Sequence, residues 1–184
     1  GEPARRITAS SIDINLDASG APTNLSAREM VQLTIPGGAA GATRTVNAQN
    51  LLATGAEGQG LRTAHFTGDV QYRERGASVD RAAQSGELDL ALAPGFGTID
   101  DARFAKAVRF EESTMAADAA AARYVLGKGT LELSGREPGR EKPHVTHERF
   151  GVYATGISIV LEGPDVSASG DVKSVLQPAK PGAD

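Results

Sequence analysis

The sequence contains no cysteine and no tryptophan, and aromatic residues make up only 4% of its 184 residues. Without cysteine, the chain has no disulfide, no thiol nucleophile and no thiolate metal site. With so few aromatic side chains, a core must be built from Val, Leu, Ile and Ala. That composition suits thin stacked β-sheets better than a thick sandwich.

Long apolar runs are also absent, since none approaches the roughly 20 residues that a membrane-spanning helix needs. The chain begins at Gly1 without Met and shows no signal peptide. We therefore expect a processed or truncated product that has lost any export signal or membrane anchor.

Charge of one sign does not dominate the sequence either. The formal net charge is −4, from 19 basic and 23 acidic residues that are well mixed along the chain. A nucleic-acid surface would show a basic stripe, so no nucleic-acid partner is predicted, and charge implies no membrane partner. The 22 glycines and 9 prolines indicate many turns, as a fold of short strands requires.

A repeated unit is the strongest pattern that is present, and residues 152–172 (VYATGISIVLEGPDVSASGDV) are its clearest copy. Its first half reads apolar-x-Ala-x-x-apolar-x-apolar, and Gly163-Pro164 then marks a turn. In its second half Val166, Ala168, Gly170 and Val172 alternate with polar residues. Alternation with period 2 places the two sets on opposite faces of a β-strand.

Five such units begin near residues 7, 46, 83, 115 and 152, at spacings of 39, 37, 32 and 37 residues. Self-similarity at this period is typical of stacked supersecondary units. The phase slips once in each first strand, which indicates a β-bulge or a sharp bend. Residues 116–122 are alanine-rich and have a helix as the alternative, although the repeat favours a strand.

The predicted fold class is therefore all-β: a twisted, partly open antiparallel β-jellyroll, or solenoid-like stack of repeated bent hairpins, with ten or more strands. The predicted organisation is a flexible N-terminus at residues 1–6, a single β-domain at 7–176 and a disordered tail at 177–184. The third unit contains Lys106 on the apolar side of its strand, which indicates an end or edge position.

Two return strands carry a family resemblance. Residues 64–74 (AHFTGDVQYRE) and 166–176 (VSASGDVKSVL) resemble the strand of the OstA-like periplasmic family of lipopolysaccharide export, to which LptA-type and LptC-type proteins belong. The resemblance extends from Ile7 to Leu176. Units one, three and four depart from the Gly-Asp-Val form, which leaves the subfamily open.

The resemblance implies a periplasmic protein whose interior groove accepts the acyl chains of lipopolysaccharide or a related glycolipid. It also implies docking to export proteins of the same fold by pairing of edge strands. LptC-type members carry an N-terminal membrane helix, so this chain would be either an LptA-type protein or the part of an LptC-type protein without its inner-membrane anchor.

Acyl chains need a continuous apolar lining, because affinity comes from area removed from water. The candidate groove residues are Ile12, Ile14, Leu33, Phe66, Val70, Phe104, Val108, Phe110, Leu131, Leu133, Ile157, Ile159 and Leu161. The alternative is that these side chains fill a closed core, since protein interiors are normally close-packed. For docking, the candidates are Gly170, Asp171 and Val172 in the last unit.

No catalytic, metal or cofactor site is predicted. His144 and His147 are an odd number of residues apart, so a strand would point them to opposite faces. His65 lies on an outward face and is expected to pair with Asp69. No serine has a G-x-S-x-G context, and no glycine-rich loop has the lysine of a phosphate-binding loop.

Two other function classes stay open from the residues alone. One is a β-solenoid scaffold or a polysaccharide- or protein-binding module with a filled core, whose functional residues would lie on the outward face. The other is an enzyme on a β-helix with stacked carboxylates. Asp69 and Asp171 are equivalent in their units, but Ala107 interrupts that ladder in unit three.

Overall fold

The computed structural model describes residues 4–37, 41–94, 97–135, 142–163 and 165–176. The predicted tail at 177–184 lies outside these residues, as does the first half of the predicted flexible N-terminus. The strands are β1 (Arg6–Thr8), β2 (Ser11–Leu16), β3 (Pro22–Ile35), β4 (Thr43–Ala56), β5 (Gly60–Arg75), β6 (Asp80–Leu92), β7 (Ile99–Glu112), β8 (Met115–Val125), β9 (Thr130–Ser134), β10 (His144–His147), β11 (Phe150–Tyr153), β12 (Gly156–Val160), β13 (Val166–Ser169) and β14 (Lys173–Leu176). One 3-10 turn, Leu126–Lys128, connects β8 to β9.

All 14 strands belong to one antiparallel sheet, which confirms the predicted fold class. The alanine-rich segment 116–122 is part of β8, so it is a strand and not a helix. Neighbouring strands in the sequence pair with one another along most of the sheet. Among the described residues the sheet does not close: β1 and β2 pair only with β3 at one end, while β13 pairs only with β12 and β14 only with β11 at the other.

Each long strand bends near its middle, as the slip of phase predicts. The β4–β5 ladder is broken between Asn47 and Asn50, and the corresponding breaks recur in the β5–β6, β6–β7 and β7–β8 ladders. Opposite the break, Gly68 and Asp69 of β5 have φ of 84° and 47°. Two successive residues in the left-handed conformation change the direction of the strand, so each hairpin bends sharply at its centre.

The bends divide the sheet into two layers that face each other. Layer A consists of β1, residues 31–35, 43–47, 70–75, 80–85, 108–112 and 115–119, and strands β10, β11 and β14. Layer B consists of β2, residues 22–28, 50–56, 60–67, 87–92, 99–105 and 121–125, and strands β9, β12 and β13. Aromatic side chains of the two layers meet edge to face, with ring centroids 5.6 Å apart for Tyr72 and Phe104 and 6.2 Å apart for Phe110 and Tyr124.

The left-handed bends need space on the facing strand. A Cβ at Gly68 would lie 2.8 Å from the side chain of Gln49, and one at Gly170 would lie 2.8 Å from Thr155. In the third unit the residue without a side chain is on the other strand, where a Cβ at Gly86 would lie 2.8 Å from Lys106. Each of these three close approaches therefore needs one glycine, because a side chain at that position would push the two neighbouring strands apart at the bend.

Two sequence predictions about individual residues are wrong. Lys106 lies at a bend of the central strand β7 with φ of 65°. The left-handed backbone, and not an edge position, therefore explains why the alternation places Lys106 on the apolar side. His65 forms its hydrogen bond with Asp89, at 2.6 Å, instead of with Asp69. In β8 the inward residue before the bend is Ala119, which is buried, whereas Ala120 is only partly buried.

Asp17 fastens the turn between β2 and β3 to the turn between β4 and β5. Its carboxylate accepts hydrogen bonds from the backbone N–H of Gly58 (2.8 Å), Ser19 (2.8 Å) and Ala21 (3.0 Å). The bond from Gly58 is the main cause that lowers the pKa of Asp17 from 3.8 to about 2.

We expect Asp17→Asn to lower the melting temperature at pH 7, because the neutral amide accepts these hydrogen bonds less strongly. A pKa lower in the folded than in the unfolded state stabilises the protein above the unfolded value, and this contribution is lost as pH falls from about 4 to about 2. The difference in melting temperature between wild type and variant should therefore shrink over that window. A difference that stays constant from pH 7 to pH 2 would contradict this assignment.

Candidate functional site

Most of the predicted groove residues are buried in the hydrophobic core. Leu33, Phe66, Val70, Phe104, Val108, Phe110, Leu131, Leu133, Ile157 and Ile159 are each at most 3% exposed. Leu161 is partly buried against them. Ile12 and Ile14 are 39% and 51% exposed. The middle of the interior is thus filled with side chains, and apolar surface opens to solvent towards its two ends.

Two inner rows of layer B run across the whole sheet and explain this distribution. One row begins at Ile12 and passes through Phe66 and Phe104 to end at Ala168; the other begins at Ile14 and ends at Val166. At the start of both rows β1 has only three residues, so layer A covers Ile12 and Ile14 poorly. At the far end the rows reach β13, the terminal strand of layer B, where Val166 and Ala168 are half-buried.

A cavity of about 370 Å³ lies between the layers at this far end, and we call it the terminal cavity. Its lining residues are Glu112, Ser113, Thr114, Met115, His147, Phe150, Ile159, Val160, Leu161, Gly163 and Val166. The apolar members come from both layers, with Met115 and Phe150 from layer A and Ile159 and Val166 from layer B. A space lined in this way can bury an apolar chain of ligand between the layers.

Polar side chains line one side of the terminal cavity. The Thr114 hydroxyl lies 3.1 Å from Nε2 of His147, whose ring stacks on Phe150 with centroids 5.4 Å apart. His144, three residues earlier, instead faces Asp118 at 3.3 Å and stacks on Tyr153. Among the residues that the structure describes, no group of three or more His, Asp or Glu side chains has a geometry that suits a metal ion.

Glu112 of the cavity lining also belongs to a buried ionic cluster that ties layer A to layer B. Nε of Arg81 donates to Glu112 at 2.7 Å, and its Nη1 donates to the Tyr124 hydroxyl at 2.7 Å. That hydroxyl donates to Glu74 at 2.9 Å, and Arg44 donates to the same carboxylate at 2.7 Å. Tyr124 is the member from layer B, so the cluster joins the layers directly beside the terminal cavity.

The protonation states of this cluster follow from its burial and its partners. Burial by itself lowers the pKa of Arg81, but the hydrogen bond to Glu112 and the adjacent carboxylates outweigh it and raise that pKa above its usual range. Burial, followed by the charge of Glu74, raises the pKa of the Tyr124 hydroxyl to about 12. At neutral pH, Arg81 is therefore charged and Tyr124 is a neutral donor.

The predicted docking residues Gly170, Asp171 and Val172 lie in the bend between the terminal strands β13 and β14, and not within a strand. Gly170 accepts a hydrogen bond from the N–H of Thr155 at 2.7 Å, and Asp171 lies 2.9 Å from Nζ of Lys142. The strands on either side of this bend, one in each layer, have no partner strand on their outer edges among the described residues.

Sequence reasoning missed Met115, Phe150 and Val166 as lining residues of one cavity. Phe150 is one of only five phenylalanines and lies two residues before Val152, on the same face of the strand. That position is a usable sequence signal, but the cavity itself depends on how far the layers separate where the stack ends. Within the described ranges, the structure contains no helix with the length and apolarity that crossing a membrane requires.

Fold and cavity together define an open, two-layered protein made from a single bent antiparallel sheet. No protein-family model matches the sequence, and no curated protein matches it either. Among solved structures, the chain is similar to LptH from Pseudomonas aeruginosa, the LptA-homologous periplasmic component of its lipopolysaccharide transport device. The two share 13% identity with a TM-score of 0.38, over 96% of this chain and 97% of the other.

Proposed function

We propose that this protein is a non-catalytic, periplasmic lipid carrier that helps to move lipopolysaccharide or a related glycolipid towards the outer membrane. The observation that carries the proposal is the terminal cavity, an apolar space between the layers that opens where the sheet ends. An acyl chain in this space would be removed from water by Phe150, Ile159 and Val166. The two Gly-Asp-Val segments, which resemble those of the lipopolysaccharide-export family, support the choice of lipid.

Only the ends of the predicted groove take part in this proposal. The central residues, such as Phe66 and Phe104, belong to one core cluster and hold the layers together, while the terminal cavity receives the ligand. Binding needs no opening of the centre, because apolar surface is already accessible at the terminal cavity.

Filling the terminal cavity should abolish most of the affinity for acyl chains. We expect Val166→Trp to weaken binding of 11-dansylaminoundecanoic acid about tenfold or more, which corresponds to about 1.4 kcal/mol, or the loss of roughly 55 Å² of apolar contact at about 25 cal/mol per Å². Titration of the probe fluorescence measures this loss. Displacement of the probe by purified lipopolysaccharide tests whether the same cavity binds the glycolipid.

Val175→Trp is the matched control, since Val175 is 44% exposed on the terminal strand of layer A and does not line the terminal cavity. This variant should bind the probe as the wild type does. Equal affinities for both tryptophan variants, or no saturable binding of the probe to the wild type, would refute the proposed site.

The same proposal includes docking of similar domains end to end. The inner rows of layer B begin at Ile12 and Ile14 and end at Ala168 and Val166, so pairing of β2 of one molecule with β13 of the next would continue both rows. Exposed edge strands are suited to such strand addition. The exposed apolar side chains of Ile12 and Ile14 would be covered by this contact.

We expect sedimentation velocity to show assembly that increases with protein concentration, and we expect the double variant Ile12→Lys/Ile14→Lys to stay monomeric. Charges that point inward at an edge oppose pairing. Leu52→Lys is the control, because Leu52 is 52% exposed in β4, away from both ends of the sheet. Assembly of the double variant equal to that of the control would rule out this interface.

A further inference from the structure

The outward face of layer A carries a row of uncharged amide side chains that the proposed function does not use. Cross-strand pairing places Gln32 beside Asn47, Asn47 beside Gln71, and Gln71 beside Gln84, on four adjacent strands. We call these four residues the amide row. Neighbouring strands are about 4.8 Å apart, so the row offers hydrogen-bonding groups at a regular spacing perpendicular to the strands.

Two of these amides have unused hydrogen-bonding capacity. Gln32 donates to Asn47 at 3.0 Å. Among the described residues, by contrast, no hydrogen bond involves the side chain of Gln71 or of Gln84, and both residues are exposed. Each primary amide has two donors and one acceptor oxygen, which match the hydroxyl groups of sugars.

A polar cleft of about 530 Å³ adjoins these two residues at the bend. Its lining includes Asp69, Gln71, Gln84 and Lys106. The cleft exists because the β5–β6 ladder is interrupted at the bend and because Gly86 has no side chain to fill the gap. It provides the amide row with a concave end in which a ligand group can be held from several sides.

The row continues across the sheet without an uncompensated charge in its next positions. Arg109 follows Gln84 and is paired with Glu111 at 2.8 Å and with Asp118 at 3.2 Å. Asp118 follows Arg109 in the row, and His144 and Tyr153 come after it, with their rings stacked at a centroid distance of 5.1 Å. Flat rings of this kind are suited to contact with the apolar faces of sugar rings.

We propose that this face of layer A binds a linear, uncharged polysaccharide along the amide row. A peptide would need a free strand edge or apolar anchor pockets, and the strands that carry the amide row are paired on both sides. A nucleic acid would need unpaired basic groups, whereas Arg109 is paired with two carboxylates. A polymer of neutral, hydroxylated units matches the amides, their spacing and the stacked rings.

Isothermal titration calorimetry with maltohexaose, laminarihexaose and cellohexaose tests this proposal. The double variant Gln71→Ala/Gln84→Ala should bind the preferred hexaose about tenfold more weakly or worse, since it lacks two hydrogen-bonding amides. Asn24→Ala/Asn50→Ala, which removes two exposed amides from layer B, is the matched control and should bind as the wild type does. All four substituted residues are exposed, so both variants should fold normally.

In ¹H–¹⁵N NMR spectra of the wild type, the side-chain NH₂ signals of the amide row should shift on addition of the hexaose. The proposal would be overturned if none of the three hexaoses bound, if both double variants lost the same affinity, or if only signals outside the amide row shifted. Because the terminal cavity lies between the layers, the dansyl-probe titration and this experiment succeed or fail independently.

Discussion

Replacing Arg81 with methionine is expected to lower the free energy of unfolding by about 3–5 kcal/mol. The side chain of Arg81 is only 5% exposed and lies between the carboxylates of Glu74 and Glu112. Its removal leaves Glu112 without this cation, and it leaves the almost fully buried carboxylate of Glu74 with Arg44 as its remaining cation. Breaking a buried ion pair from one side costs this much because the remaining charge stays in a poorly solvated place. Urea denaturation followed by circular dichroism measures the loss.

Arg103→Met is the appropriate comparison for Arg81→Met. Arg103 is 67% exposed and forms a surface ion pair with Asp101 at 3.2 Å, so its removal should cost less than about 1 kcal/mol. Tyr124→Phe should fall between the two, at about 1–3 kcal/mol, because it removes only the hydroxyl through which layer B joins the cluster. Equal losses for the two arginine variants would show that the cluster does not stabilise the contact between the layers.

Replacing Phe104 with alanine is expected to cost about 3–5 kcal/mol of stability while leaving acyl-chain affinity within about twofold. Phe104 is 1% exposed, lies between Leu88 and Ala122 in its inner row, and meets Tyr72 of the other layer edge to face. Its truncation removes contacts on several sides and leaves a cavity in the filled part of the interior. The dansyl probe binds at the terminal cavity, so its affinity for the folded variant should hardly change.

Phe150→Ala should show the opposite pattern. Phe150 is half-buried and lines the terminal cavity, so its truncation should cost less stability and should weaken probe binding more than Phe104→Ala does. If Phe104→Ala abolished binding in a folded protein and Phe150→Ala did not affect it, the lipid site would lie in the centre of the interior instead of at its end.

Alternation along the strands was sufficient to predict the sheet and its buried face. Phe66, Val70 and Tyr72 are buried and the residues between them are not, because β5 has one face in the core. The bends were also predictable, since a strand that bends must break its period. The shape of each bend could not be predicted, because it depends on which of the two paired strands contains the residues with positive φ. Lys106 shows this: its phase indicated an edge, while its backbone conformation places it at a central bend.

The site was less predictable than the fold, because burial depends on what the opposite layer covers. Ile12 and Phe66 lie on the same inner row, yet Ile12 is 39% exposed and Phe66 is completely buried. The difference in exposure arises because β1 has only three residues and because Ile12 lies on the edge strand β2, and neither property can be read from the residue type. Alanine gives a similarly weak signal, since Ala119 and Ala120 are chemically identical and only the position of the bend decides which is inward.

Photocrosslinking to lipopolysaccharide tests the central claim most directly, with the photoreactive residue p-benzoylphenylalanine placed either at Phe150 or at Phe66. The first position lines the terminal cavity, and the second is 0% exposed in the filled centre. A crosslinked lipid adduct from position 150 and none from position 66, with both variants folded, is the predicted result. An adduct from position 66 and none from position 150 would contradict the assignment of the lipid site to the terminal cavity.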